Sequence, residues 1–135
     1  MTYYEDGSGY RYLPELVDGS VNIGWLDVSA DFTRGDVPDE FVERLVELCR
    51  DPVNLTRGWH RCNLCPPPRE LAPPEPVMVS SPRGDYPVGH GEIRVEGPNG
   101  IRYAAPDMIV HYVRHHGYRP PDEFVEAVVR TSSAD

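Results

Sequence analysis

Two cysteines two residues apart, Cys62 and Cys65 in "HRCNLC", are the residues of this chain whose spacing most suggests joint chemistry. A C-x2-C pair is half of a tetrahedral metal site or the whole of a redox couple. A zinc ion takes four nitrogen or sulfur donors, so a metal reading needs two more. "HYVRHH" offers three, His111, His115 and His116. The pattern is C-x2-C, then 45 residues, then H-x3-H or H-x4-H. Both histidine spacings fall in the range that zinc sites use. The long middle excludes a compact finger, where it is about a dozen residues. The metal is instead expected to pin the loop at 62–65 to a late helix, closing a long loop. At 100° per residue, His111 and His115 lie about 40° apart on a helix, and His116 about 140° from His111. Yet His116 falls beside Ile109, Tyr112 and Val113, on the apolar stripe. Spacing favours His115 and burial favours His116. His60 is a further alternative ligand, more expected as a supporting hydrogen-bond donor or packing residue.

The rival chemistries fit less well. A redox C-x-x-C opens a helix inside an α/β unit, whereas three prolines follow Cys65. "HGE" at 90–92 supplies the H-x-E of nucleobase deaminases, but those place it before P-C-x-x-C. Here the order is reversed and Arg61 precedes Cys62. A zinc hydrolase would use Cys62, Cys65 and one histidine, keep an open position for water, and take Glu92 or a nearby acid as base. Four available donors favour a closed, structural Cys2His2 site instead. Cys49 lies on the apolar stripe of a helix and is expected to be a small core filler.

Elements must bring these donors together. "VPDEFVERLVELCRD" reads as a helix, with Pro38 at its first position and Phe41, Val42, Leu45, Leu48 and Cys49 at helical spacing. "APDMIVHYVRHHGY" is a second helix, opened by Pro106 and stopped by Gly117. "PPDEFVEAVV" is a third, starting at Pro121. "PDEFVE" thus occurs twice, which is read as convergent capping rather than a repeat architecture. "GEIRVEGPNGIRYAAP" alternates as a hairpin about "GPNG"; "VNIGWL" (21–26) and "VMVSS" (77–81) are short strands. Residues 1–20 read as an irregular arm packed by Tyr3, Tyr4, Tyr10 and Tyr12. The expected class is α+β: a small antiparallel sheet or hairpin with about three helices, stapled by one structural Zn2+. A single domain is expected over 1–135, with a proline-rich connector at 66–76.

Composition bounds the task. Net charge is −9, and all 13 basic residues are arginine. That acidity argues against a nucleic-acid surface; a DNA-binding regulator would have only Arg57, Arg61 and Arg69 near the cysteines. It leaves a basic protein partner open. No apolar run is long enough to span a membrane and the N-terminus carries no secretory pattern, so a cytoplasmic protein is expected. Absence of lysine and glutamine suggests a GC-rich, bacterial genome.

"DPVNLTRGWHRCNLC", "GEIRV" and "YAAPDMIVHYVRHHGYRPPDEF", with "MTYYEDGSGYRYLP" and "VNIGWL", resemble an uncharacterised family of small bacterial single-domain proteins. The resemblance covers the chain except 66–88. Its most specific stretches are R-G-aromatic-H-x-C-x-x-C and H-Y-V-x-x-H-x-Y-x-P-P. The second histidine of the latter matches His116, which implies the ligand set Cys62, Cys65, His111 and His116. The resemblance also keeps His60, and its "DGSG" departs from the family's opening. It implies a metal-binding domain and no reaction. The expected function is a small zinc-binding module acting through protein contacts, as an interaction or regulatory unit, with the zinc hydrolase as the alternative.

Overall fold

The structure, a computed structural model, describes residues 3–10, 19–56, 59–65, 75–97 and 100–131. In chain order these form β1 (Val21–Asn22), α1 (Asp39–Arg50), β2 (Val77–Val79), β3 (Tyr86–Val88), β4 (Glu92–Glu96), β5 (Arg102–Pro106), α2 (Ile109–His116) and α3 (Asp122–Arg130). The class is α+β, as expected.

The alternating segment folds back as the β4–β5 antiparallel hairpin, with Ile93 opposite Ala105 and Val95 opposite Tyr103. Ile93 and Val95 are buried, while Glu96 is exposed. β1 adds to the other edge of β5 in parallel, giving the order β1-β5-β4. β2 and β3 make a separate antiparallel pair.

The helices pack on this frame through stripes of apolar residues spaced three and four apart. α1 buries Phe41, Leu45, Val46 and Cys49; α3 buries Phe124, Ala127 and Val128. Phe41 meets Phe124 edge to face at 6.3 Å, and Phe124 meets Tyr103 at 5.7 Å. The two "PDEFVE" copies therefore face each other through their phenylalanines. Burying each ring contributes about 1.5–3 kcal/mol. Acids fill the first turns, Asp39 and Glu40 in α1, Asp122 and Glu123 in α3. There they meet the positive end of the helix dipole.

The N-terminal arm is fastened by side chains. Tyr10 is buried and donates its hydroxyl to Glu92 Oε1 at 2.7 Å. Tyr118 donates to Asp6 at 2.7 Å, and Tyr4 packs edge-on against Trp25 at 5.5 Å. Tyr12 and connector residues 66–74 lie outside the described residues.

Three expectations need correction. Pro106 ends β5 opposite Glu92 and does not open α2, which begins at Ile109. Proline is tolerated at a strand end, where no ladder N–H is needed. Pro38 and Pro121 are extended N-caps just outside their helices, not first helical residues. In "VNIGWL" only Val21–Asn22 is a strand, because Gly24 turns at φ 76°. No helix among the described residues is long and apolar enough to cross a membrane.

Candidate metal centre

The cysteine loop is a tight turn. Cys65 N–H donates to Cys62 O at 3.3 Å, which sets both sulfurs on one side. The backbone N–H groups of Leu64 and Cys65 favour the Cys62 thiolate. The loop is held before its first cysteine and between the two. His60 N–H donates to Gly89 O at 2.7 Å, behind β3. Asn63, between the cysteines, donates its amide to Asp27 Oδ1 and accepts Val28 N–H at 3.1 Å.

α2 delivers the histidines. Its apolar face, Ile109, Val110, Tyr112 and Val113, is buried, which fixes its rotation. Gly117 closes it in the left-handed conformation, and Tyr118 N–H returns to Tyr112 O at 3.2 Å. That pairing stops the helix directly after His116.

The two halves meet. Cys65 Sγ lies 3.2 Å from His111 Nε2 and 3.3 Å from His116 Nε2; Cys62 Sγ lies 3.3 Å from His116 Nε2. Ligand atoms of Cys62, Cys65, His111 and His116 all fall within 4.8 Å of one another, and the four could hold a metal ion. A tetrahedral zinc, with bonds of roughly 2.3 Å to sulfur and 2.05 Å to nitrogen, has S···N edges of roughly 3.6 Å. The three S···N separations above lie within a few tenths of an ångström of that edge, while donors as far apart as 4.8 Å would have to close by roughly an ångström around such an ion.

The surroundings suit the same purpose. Burial pushes the Cys62 thiol up to about 11 and pulls His111 down to about 4. Burial, then the charges of His115 and Arg34, also lowers His116. The imidazoles are thus neutral and ready to ligate. A thiol at such a pKa ionises only when a cation replaces its proton.

The two alternative ligands stand apart. His115 is exposed, its ring 4.9 Å from that of His111, and it does not join the four donors. His60 lines a cavity of about 10 Å³ with Asn54, Thr56, Glu92 and Asp107. Cys49 is fully buried on α1. Glu92, the base of the hydrolase alternative, is buried with Oε1 held by Tyr10 and by Asn54 Nδ2 at 2.6 Å. His90 Nδ1 lies 3.3 Å from the buried Asp107 carboxylate, which also accepts Gly89 N–H at 2.8 Å. Reading the sequence missed the parts played by Asp27, Asn63 and Asp107. Their only signal was an amide between the cysteines and an acid just before a helix.

Known proteins add one finding. A family profile described as a domain of unknown function matches residues 2–129, nearly the whole chain. No curated protein and no solved structure matches.

Proposed function

The chain belongs to that family, DUF7919, whose description names no chemistry, and from the site itself we propose a small zinc-binding protein with a structural centre. Cys62, Cys65, His111 and His116 hold one Zn2+. The convergence of these four donors within 4.8 Å carries this reading. Thiolate with imidazole selects zinc over the hard cations, which take oxygen ligands. Four protein donors fill a tetrahedral ion and leave no position for a reacting water. The zinc hydrolase needs that position and a free base, and Glu92 has one oxygen already engaged. The module acts in the cytoplasm, where thiols stay reduced, through contacts with a protein partner whose basic face complements the acidic surface.

Elemental analysis of the purified chain is expected to give one zinc per molecule. Cys62→Ser and His116→Ala are expected to lose it, and His115→Ala to keep it. A folded chain without metal, or full zinc content in Cys62→Ser, would overturn the assignment.

A further inference from the structure

A groove of about 210 Å³ opens beside the metal centre, and His116 forms part of its wall. This is below the roughly 300 Å³ at which drug-sized pockets begin, so it suits a small ligand. Val28, Phe32 and Leu64 give part of its lining an apolar character, beside the polar Asp31, Arg34 and His116. Its frame is built rather than incidental. Arg34 pairs with Tyr118 in an isolated antiparallel bridge, and Arg119 N–H donates to Thr33 O at 2.8 Å. On the opposite side, the Asn63 amide ties Asp27 and Val28 to the cysteine turn.

Two side chains of the lining carry donors without a protein acceptor among the described residues. Arg34 also lines the groove, its guanidinium 4.5 Å from the centre of the Phe32 ring, and it makes no ion pair among the described residues. His116 turns Nε2 toward the sulfurs, which leaves Nδ1 on the other side of the ring. Nothing among the described residues accepts from it. A metal-bound histidine ordinarily donates its second N–H to a carboxylate, a carbonyl or water. One cation, one imidazole N–H and an apolar part of the lining together describe a receptor for an organic acid.

We propose that this groove binds a small monocarboxylate with a short apolar body. The carboxylate pairs with Arg34 and accepts the His116 Nδ1–H, while the body lies against Phe32 and Leu64. Asp31, on the same lining, repels a second negative charge and restricts the class to monoanions. The His116 bond rests on the zinc reading; the Arg34 pair and the apolar part of the lining do not. A carboxylate of this kind comes either from a free acid or from the C-terminus of a polypeptide, and we assign the groove to the free acid because of its size.

The test titrates benzoate into the full-length chain, followed by 1H–15N NMR at Arg34 and His116, with zinc content measured on the same sample. Saturable shifts at both residues are expected. Binding should weaken at least tenfold in Arg34→Ala, and equally when neutral benzamide replaces benzoate. Benzamide binding as well as benzoate, or an unaffected Arg34→Ala, overturns the proposal. So does tighter binding of an N-acetylated tripeptide with a free C-terminal leucine. A zinc-loaded chain that ignores benzoate sinks this inference alone. A metal-free chain that binds benzoate through Arg34 sinks the zinc reading and supports this one, and a metal-free chain that ignores it sinks both.

Discussion

Asn63 shows how single residues set the cysteine turn in place. Its amide bridges to Asp27, whose carboxylate also accepts the Ser29 hydroxyl and, at 3.0 Å, the Ser29 N–H. The Ser29 bonds first, then the Asn63 amide, pull the Asp27 carboxyl down from 3.8 to about 2. A depressed acid stabilises the fold in its charged form. Its contribution is therefore complete above about pH 4 and lost as pH falls through about 2. A 13C titration of the Asp27 carboxyl is expected to show a midpoint near 2, and Asp27→Asn to loosen the Val28 contact. A midpoint near 4 would mean that the clamp does not form in solution. The four residues that could hold a metal were legible as candidates in the sequence, because C-x2-C and histidines four or five apart are patterns that few other tasks need. The choice between His115 and His116 was not legible from spacing. It depends on where the cysteine turn sits relative to α2, and that is decided by packing far along the chain. Asp27 was illegible for a related reason: a contact between two exposed loops leaves no periodic trace.

Elements carry these positions. Gly89, following β3, has φ 109°, and a Cβ there would come within 2.6 Å of the His60 carbonyl oxygen. The segment leading into the cysteine turn can approach β3 only because that atom is missing. Gly89→Ala is expected to destabilise the fold by about 1–3 kcal/mol, from left-handed strain together with displacement of residues 59–65. The same variant is expected to bind zinc more weakly. Thermal melts with and without zinc check both, and an unchanged metal dependence would uncouple Gly89 from the centre. The helices were readable, since each shows an apolar stripe and α1 and α3 add an acidic first turn, and the misreading of Pro106 has a physical source. Proline serves a helix start and a strand end equally well, and only the pairing of β4 with β5 decides between them. β3 was hidden, because "YPV" is three residues with a proline at its centre, paired to a strand of equal length.

At the scale of the molecule, the proposed zinc joins residues 62–65 to residues 111–116 and encloses both hairpins in one loop. Closing a loop of this length by chance costs much entropy, so a cross-link there stabilises strongly. Free zinc at a hundred times its dissociation constant contributes about 2.7 kcal/mol, equivalent to roughly 10 °C in Tm at this size. Chelation is expected to lower Tm by at least that much, and a melting curve insensitive to chelator would show that the fold does not depend on the metal. The α+β class was legible from the order of periodic segments. The parallel pairing of β1 with β5 was not, because two residues matched across some eighty carry no local signature.

The chain has two tryptophans, and the fold separates them. Trp25 is 2 % exposed and donates its indole N–H to Ala104 O in β5 at 3.0 Å. Trp59 is 46 % exposed, three residues before Cys62, with its ring 4.2 Å from that of His90. One indole is sealed against the sheet and the other rides on the segment that leads into the cysteines. Their emission differs in colour and in access to a dissolved quencher, so the molecule reports optically on its cysteine turn and its sheet as two separate signals, without a label.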